Sequence, residues 1–402
     1  MPADPVPSPA EPTVHVAPGF PVVGVVGAGQ LARMMAPPAV ELGVGLRVLA
    51  ESAQASAAQV IPDAPVGDHR DEAAVRAFAA GADVLTFDHE HVPQPILQAL
   101  EADGVAVRPP AAALAHAQDK LVMRRRLTDL GVPCPCWRQV ATLDELEAFA
   151  TEVGDVVLKT PTGGYDGKGV LVLPADGPRD EAQRWLAARP DGLLAEEKVP
   201  FTRELAVLVA RSPSGQAAAW PVVESIQVDG ICHEVIAPAP GLDDGTAALA
   251  TEIGLKLAGE LGVVGVLAVE LFQTRSPDGT TGVLVNELAM RPHNSGHWTI
   301  DGSLTSQFEQ HLRAVLDLPL GDPRPRARWA VMVNVLGGDY PDLYRSYLHV
   351  MARDPGVKVH LYGKEVRPGR KVGHVTVTGR DLDDVRARAR HAAAFITGEI
   401  DE

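Results

Sequence analysis

The sequence predicts an α/β domain at the amino end, an α+β domain in the middle and a small β-rich domain at the carboxyl end. Strands alternate with helical segments in 21–110, and this alternation predicts a parallel sheet covered by helices. In 111–322 short strands and helices follow each other without a repeated βαβ order, while 323–402 contains mainly strand-like runs. Because 402 residues exceed what one hydrophobic core supports, several domains are expected.

The amino-terminal region opens with a tail, 1–20, which is rich in Pro and Ala and which we expect to be disordered. It lacks the basic start and apolar middle of a secretory signal. The elements predicted after the tail are, in order, a strand at 22–26, a helix at 30–42, a strand at 46–50, a second unit at 75–80 and 84–87, and a third unit that ends at 105–108. Pro109 and Pro110 then predict a domain boundary.

A glycine turn connects the first strand to the first helix. Gly27, Gly29 and Ala32 have the spacing of a dinucleotide-binding turn, and Glu51 ends the next strand at the distance expected for a ribose-binding acid. In such a site the phosphates lie at the amino end of the helix. A tight turn that needs glycine for packing gives the same pattern. We favour the packing explanation, because the rest of the chain offers no recognisable hydride-transfer site.

The middle and last regions carry their own local signals. Residues 111–130 predict a helix pair, which the segment from Gly131 to Pro135 ends. Beyond Pro323 the predicted elements are a strand at 329–336, a helix after a glycine pair, and strands at 357–361 and 373–377.

The segment 158–170 predicts a loop that binds nucleotide phosphates. It holds four glycines and two lysines, Lys159 and Lys168, directly after a short apolar run. Glycine lets backbone N–H groups approach phosphate oxygens closely, and ammonium groups neutralise the phosphate charge. The spacing differs from that of a Walker loop, so the segment alone is a weak signal.

Two glutamates strengthen this interpretation. Glu270 and Glu287 each stand alone in a strand-like apolar run. They could form surface ion pairs, but burying an unpaired carboxylate is costly. We therefore favour Mg²⁺ binding by both carboxylates, with the metal held against the phosphates of ATP.

Two polar segments follow the second glutamate. Residues 290–298 are dense in polar groups, and Arg291 can hold an oxyanion through two hydrogen bonds. His293 and His297 have the spacing of a helical zinc pair, but the neighbouring proline and glycine argue against a helix, so we interpret both as loop histidines. Residues 362–371 supply four cations, which could form a solvated basic turn. Because the chain is strongly acidic and this segment has no interleaved aromatic residues, a phosphate-monoester site is favoured over a nucleic-acid patch.

The composition indicates which binding partners and which cellular compartment to expect for this protein. The net charge of −16 opposes non-specific binding to nucleic acid or to an anionic membrane. The three cysteines show neither a disulfide nor a zinc pattern, which favours a reducing compartment. No apolar run approaches the roughly 20 residues that cross a bilayer, so we expect a cytoplasmic protein without nucleic-acid or membrane partners.

The motifs, taken in order, resemble the N5-carboxyaminoimidazole ribonucleotide synthetase family, which are ATP-grasp ligases of bacterial and fungal purine biosynthesis. The matching segments span about 22–377 and are Gly-Gln-Leu at 29–31, Glu-His-Val-Pro at 90–93, Gln-Asp-Lys at 118–120, Gly-Gly-Tyr-Asp-Gly-Lys-Gly at 163–169, Asn-Glu at 286–287, Arg-Pro-His-Asn-Ser-Gly-His at 291–297, and the Tyr-Gly-Lys to Gly-Arg-Lys segment at 362–371. The 291–297 run is specific to this family, whereas the glycine loops are shared with other ATP-grasp enzymes.

The resemblance implies an ATP-grasp architecture with a Rossmann-like first domain (21–110), a central ATP-grasp domain (111–322) and a small last domain (323–402). The implied reaction joins bicarbonate to 5-aminoimidazole ribonucleotide, with ATP as the energy source, Mg²⁺ as the cofactor and carboxyphosphate as the intermediate. A homodimer is also implied.

The resemblance further implies roles for particular residues. Contacts to ATP are expected from Arg108, Lys159, Gly164, Tyr165, Asp166, Gly167, Lys168, Gly169, Val170, Glu196, Glu197, Lys198, Val199, Glu204, Gln227, Asn286 and Glu287. Metal binding is expected from Glu270 and Glu287, and binding of bicarbonate or carboxyphosphate from Arg291 and Asn294. Contacts to the ribonucleotide are expected from Glu90, Tyr165, Asp166, Lys364 and Arg370. The implied catalytic residues are Asp166, Arg291 and Lys364.

Some positions depart from the family, and other functions remain open. The chain has Asp88-His89-Glu90-His91 where the family usually has Glu-Phe-Glu-His. Ala289 stands where many other ATP-grasp enzymes carry an asparagine metal ligand, which favours the synthetase. The alternatives are a formate-dependent glycinamide ribonucleotide transformylase, a dinucleotide-binding oxidoreductase and a non-catalytic nucleotide-binding regulator.

Overall fold

The computed structural model describes residues 16–164, 168–338 and 340–401. Within these ranges the chain forms two compact units. The first contains the residues up to 111 together with Tyr362–Lys364, and the second contains the rest. Residues 1–15 of the predicted tail lie outside the described residues. A search of the described helices finds none with the length and apolar character needed to span a bilayer.

The first unit is built on a parallel sheet, as the strand–helix alternation predicts. Its elements are β1 (Val22–Val26), α1 (Gln30–Leu42), β2 (Gly45–Leu49), α2 (Glu72–Ala79), β3 (Val84–Phe87) and α3 (Gln94–Ala102). The strand order is β2-β1-β3, with both pairings parallel. The strand expected at 105–108 is reduced to one parallel bridge between Val107 and Leu85. Pro109 and Pro110 lack the N–H groups that would extend this pairing.

The second unit begins with the predicted helix pair and a small antiparallel sheet. Its first elements are α4 (Ala111–Gln118), α5 (Lys120–Asp129), β4 (Trp137–Val140), α6 (Leu143–Val153), β5 (Val156–Lys159), β6 (Val170–Leu173), α7 (Asp180–Ala188) and β7 (Leu193–Glu197). The small sheet has the order β4-β7-β5-β6. A capping box between Thr142 and Glu145 starts α6, whose buried Leu146 and Phe149 pack on this sheet.

The remaining strands form a large antiparallel sheet with the order β13-β12-β8-β10-β11-β14-β16-β15 and with β9 beside β8. The elements are β8 (Phe201–Arg211), β9 (Ala217–Ala219), β10 (Val223–Val228), β11 (Ile231–Ala237), α8 (Asp244–Glu260), β12 (Gly265–Arg275), β13 (Thr281–Ala289), α9 (Thr299–Gly302), α10 (Gln307–Val315), β14 (Trp329–Leu336), α11 (Tyr347–Arg353), β15 (Lys358–Leu361), β16 (Lys371–Gly379) and α12 (Leu382–Thr397). Short 3₁₀ helices cover Asn294–Gly296 and Leu343–Ser346.

The region beyond 322 continues this sheet. Because β14 pairs with β11, the strands of the expected third domain extend the sheet that carries β8, β12 and β13. The boundary at 322 stays a prediction, since the sheet has no break there.

The carboxyl-terminal helix α12 was not among the predicted elements. Its buried residues Val385, Ala389, Ala392, Ala393 and Ile396 follow helical spacing and pack with β14 and β16. Buried Glu234 on β11 fastens the helix, because it accepts hydrogen bonds from Arg386 and Arg390 at 2.6 Å each. The region is therefore a sheet covered by a long helix, and the apolar pattern at 385–396 could have revealed it.

Replacing both arginines, Arg386→Met with Arg390→Met, is expected to destabilise the protein. The change leaves the carboxylate of Glu234 buried without its cationic partners, which costs about 3–5 kcal/mol in the free energy of unfolding. Urea unfolding followed by circular dichroism measures the loss. An Arg367→Met control breaks only the exposed pair with Glu365 and should cost less than about 1 kcal/mol. Equal losses for the two proteins would show that Glu234 does not anchor α12.

Candidate active site

The two predicted metal ligands lie opposite each other on neighbouring strands. Glu270 of β12 pairs with Glu287 of β13, and the next residue, Leu271, pairs with Val285. Asn286 is therefore an extra residue in β13, which forms a β-bulge. The Nζ atom of Lys159 lies 3.1 Å from the Oδ1 atom of Asn286 and 3.9 Å from the Oε1 atom of Glu287. The bulge thus lets consecutive side chains of one strand reach the same ammonium group.

A buried ion network surrounds this point. Glu196 at the end of β7 accepts a hydrogen bond from Arg124 at 2.5 Å and forms an ion pair with Lys159 at 2.9 Å. Arg124 also donates to the backbone carbonyl of Asn286 at 2.7 Å. Burial raises the pKa of Glu196, but the charges and hydrogen bonds of Lys159 and Arg124 outweigh it and hold the pKa below its ordinary value. Glu196 is therefore an ionised residue that holds Lys159 in place.

Negative charge gathers where the predicted metal would bind. Glu204 of β8 lies beside β12, and its pKa is raised to about 7 by burial and then by the charges of Glu270 and Glu287. Burial also raises the pKa of Glu270, but His293 outweighs it and holds the pKa below its ordinary value. The Nε2 atom of His293 is 3.2 Å from the Oε1 atom of Glu270.

These carboxylates fit a Mg²⁺ ion that takes its other ligands from phosphate and water. Within the described ranges, three or more His, Cys, Asp or Glu side chains nowhere gather in a metal-binding arrangement. Mg²⁺ is usually held by one or two carboxylates together with substrate phosphates, rather than by a cage of protein ligands. Glu270 and Glu287 supply that number of carboxylates, on neighbouring strands.

The predicted phosphate loop connects β5 to β6. Lys159 and Val170 pair at the base of this hairpin, and the backbone N–H of Thr160 donates to Gly169. Gly164 has a φ of +80°, and a Cβ atom there would lie 2.5 Å from the carbonyl oxygen of Lys168. The close approach therefore requires glycine. Tyr165, Asp166 and Gly167 lie outside the described residues, so their predicted roles stay predictions.

The segment after β13 carries the predicted bicarbonate residues. Arg291 donates to the carbonyl of Pro292, and the amide of Asn294 is bonded to that of Asn334. Buried Gln307 holds the segment by its backbone, because it accepts from the N–H of His293 and donates to the carbonyl of His293. His293 is thereby fixed both through its backbone and through its imidazole.

The other ATP-site predictions lie in two places, and the predicted ribonucleotide residue Arg370 lies in a third. Glu197 accepts from the backbone N–H of Cys136, Lys198 contacts Asp155, and Val199 is buried. Gln227 on β10 donates to Ser225. Arg370 is exposed and donates to the carbonyl of Glu365.

Three predicted residues, Glu90, Arg108 and Lys364, belong to the first unit. Glu90 is half-buried after β3, and the backbone N–H of Arg108 donates to Leu85. Lys364 donates to the side chain of Gln30, the first residue of α1. Lys364 therefore lies beside the amino end of that helix.

The amino end of α1 holds an anion from its own chain. The carboxylate of Asp88 accepts hydrogen bonds from the backbone N–H groups of Gly29 and Ala32, both at 2.8 Å. A Cβ atom on Gly29 would lie 2.3 Å from this carboxylate. In a dinucleotide-binding domain, phosphate takes this place. The structure therefore supports the packing explanation of the glycine turn.

Sequence reasoning missed three site residues, namely Lys120, Arg124 and His293. The Nζ atom of Lys120 lies 3.6 Å from the Oε1 atom of Glu287. Lys120 is the last residue of the Gln-Asp-Lys motif and the first residue of α5, and Arg124 lies four residues further along that helix. That helical spacing of cations was a usable signal. His293 was interpreted only as a loop residue, because its partner Glu270 is remote in sequence.

Family models match most of the chain. The ribonucleotide synthetase preATP-grasp domain matches residues 21–118, the ATP-grasp domain matches 125–308, and the phosphoribosylaminoimidazole carboxylase C-terminal domain matches 330–388. These models confirm the predicted architecture.

Curated relatives and solved structures agree with the family models. The N5-carboxyaminoimidazole ribonucleotide synthase of Mycobacterium tuberculosis is 55% identical over 384 residues, covering 94% of this chain and 88% of the relative. That of Corynebacterium ammoniagenes is 50% identical over 388 residues, covering 96% and 94%. The structure of the synthetase from Thermus thermophilus matches with a TM-score of 0.80 at 38% identity, covering 94% of this chain and 99% of that one.

A further solved structure is that of the Aspergillus clavatus synthase in complex with ADP and 5-aminoimidazole ribonucleotide. It matches with a TM-score of 0.83 at 32% identity, covering 95% of this chain and 99% of that one. The chain therefore belongs to the N5-carboxyaminoimidazole ribonucleotide synthase family of ATP-grasp ligases.

Proposed function

We propose that this protein carboxylates 5-aminoimidazole ribonucleotide on its exocyclic amine, with ATP and bicarbonate as the other substrates. The observation that carries the proposal is the arrangement of Glu270 and Glu287 opposite each other, with Lys159 and Lys120 beside Glu287. Carboxylates for a metal and cations for phosphate at one place are what transfer of a phosphoryl group needs. Because the chain belongs to the synthase family, we propose 5-aminoimidazole ribonucleotide as the acceptor of the carboxyl group.

ATP would lie between the hairpin loop and the large sheet. Lys159 and Lys168 are proposed to neutralise its phosphates, and Glu204 to bind its ribose. The adenine is proposed to contact the segment 196–199. Glu270 and Glu287 would hold Mg²⁺, which would supply positive charge to offset that of the phosphates during transfer.

Bicarbonate is a poor electrophile and must be activated. An oxygen of bicarbonate attacks the γ-phosphorus of ATP, ADP leaves, and carboxyphosphate forms. We propose that Arg291 and Asn294 orient the anion, since a guanidinium and an amide N–H both donate to oxyanions. His293, through its contact with Glu270, would keep this segment aligned with the metal carboxylates.

The amine nitrogen of the ribonucleotide then forms a bond to the carboxyl carbon. Phosphate leaves, and the amine loses a proton. We propose that Asp166 holds or accepts that proton, with Glu90 and Tyr165 contacting the ribonucleotide. Lys364 and Arg370 are proposed to bind its 5′-phosphate. A homodimer and a cytoplasmic location also remain predictions.

The decisive assay measures ADP release with Mg-ATP and bicarbonate, with and without 5-aminoimidazole ribonucleotide. Formate with glycinamide ribonucleotide is the control pair. Strong stimulation by the aminoimidazole substrate, together with loss of its free amine, supports the proposal. Stimulation by the control pair alone would identify a transformylase instead. A change in nicotinamide absorbance would favour the oxidoreductase, against which the position of Asp88 already argues.

Glu287→Ala is expected to lower ADP formation at least roughly a hundredfold, because it removes one of the two metal carboxylates. The variant should keep its fold, since this side chain is 38% exposed. Calorimetry should show that Mg²⁺ no longer strengthens ATP binding. Glu260→Ala, which removes a carboxylate that is 51% exposed on α8, is the control and should keep full activity. Full activity of Glu287→Ala would remove the metal assignment.

Glu204→Gln is expected to change how stability depends on pH in the ligand-free protein. Folding raises the pKa of Glu204 from 4.5 to about 7. The stability that this group contributes is therefore fully present below pH 4.5 and is lost as the pH rises through 7. Because glutamine cannot ionise, the variant should gain about 1–3 kcal/mol relative to the wild type between pH 4 and pH 8. Urea unfolding at several pH values measures the difference, and a constant difference would contradict the prediction.

A further inference from the structure

We propose that Asn334 is a positioning residue that fixes the direction of the Asn294 amide and thereby presents an N–H donor to bicarbonate. The inference rests on the proposed function, which assigns Asn294 to the bicarbonate site. It adds a residue that lies on β14, 40 positions away in sequence, and that was not among the predicted site residues.

The two asparagines form a reciprocal pair. The Nδ2 atom of Asn334 donates to the Oδ1 atom of Asn294 at 2.7 Å, and the Nδ2 atom of Asn294 donates to the Oδ1 atom of Asn334 at 3.1 Å. Asn334 is 2% exposed, and it also donates to the backbone carbonyl of Cys232 at 2.8 Å. Both hydrogens of the Asn334 NH₂ group therefore donate to protein oxygens.

This arrangement determines which way both amides point. A backbone carbonyl can only accept, so the group of Asn334 that faces Cys232 must be its NH₂. The second hydrogen of that NH₂ then selects the oxygen of Asn294. The NH₂ of Asn294 consequently donates one hydrogen to Asn334, and its other hydrogen is the one that we assign to bicarbonate. The direction follows from the chain of hydrogen bonds that starts at Cys232, rather than from either amide alone.

Direction matters because the ligand is an anion. An amide N–H attracts an oxyanion, whereas a reversed amide presents its carbonyl oxygen and repels it. Reversing Asn294 would place oxygen against oxygen and nitrogen against nitrogen in the pair, so two hydrogen bonds would be lost. Gln307 independently holds the neighbouring backbone at His293, which leaves Asn334 to control the side chain. Asn334 thus favours the binding of an anion over that of a neutral molecule such as CO₂.

The test compares steady-state kinetics of the wild type and Asn334→Ala in CO₂-depleted buffer. We expect the KM for bicarbonate to rise about tenfold, because one oriented hydrogen bond to an anion is lost. The KM values for ATP and for 5-aminoimidazole ribonucleotide should stay within about twofold, since neither is assigned to Asn294. Met332→Ala, which creates a cavity at a buried residue on the same strand, is the control and should leave the KM for bicarbonate unchanged.

A double-mutant cycle distinguishes positioning from general stabilisation. If Asn334 acts through Asn294, Asn334→Ala should have no further effect on the KM for bicarbonate in an Asn294→Ala background. Additive effects, or an equal rise in all three KM values, would overturn the inference. If Asn334→Ala does not fold, Asn334→Leu tests the same point, because it keeps the volume and removes both N–H donors without adding a charge. If the wild type forms no ADP in response to bicarbonate, the proposed function itself is wrong. If the wild type is active and the variant has the same KM for bicarbonate, only the inference about Asn334 is wrong.

Discussion

The candidate site depends on one buried carboxylate, that of Glu196. It binds Arg124 from α5 and Lys159 from β5, and Arg124 reaches on to the backbone of Asn286 in β13. One anion therefore links the small sheet, a helix and the large sheet at the place where Lys159 meets Asn286 and Glu287. Buried charges are costly unless fully paired, so the network is stable only in this geometry. The contact of Glu196 with adenine stays a prediction, and in the structure the same carboxylate holds Lys159 in place.

The β-bulge in β13 brings two consecutive side chains to the same lysine. In a regular strand Asn286 and Glu287 would lie on opposite faces of the sheet. The extra residue lets both reach Lys159 while Glu287 stays opposite Glu270. The segment that follows then brings His293 back to Glu270, and Glu287 shares one short stretch of chain with the proposed bicarbonate residues. Local distortion of a single strand thus brings two halves of the chemistry together.

Local sequence pattern was enough to predict the parts of this site that depend on local structure. The alternation of strand-like and helical segments located β1 and α1 at their observed bounds, and the isolated position of Glu270 and Glu287 in apolar runs marked them as a pair. Lys120, Arg124 and His293 were missed because their roles arise from partners that are far away in sequence. The contact between Asp88 and the amino end of α1 was missed for the same reason, because Gly29 and Asp88 are 59 residues apart. Helix α12 differs, because its pattern was visible and was overlooked.

The carboxylate at the start of α1 has a consequence for how the first unit responds to its surroundings. A group tethered to the same chain acts at a high effective concentration. A dissolved anion would therefore have to compete with Asp88 for these two N–H groups. The glycine turn has the spacing of a cofactor-binding motif, but its N–H groups bind a carboxylate of the same chain. In this protein the motif connects β1 to α1 and binds Asp88, the residue that follows β3.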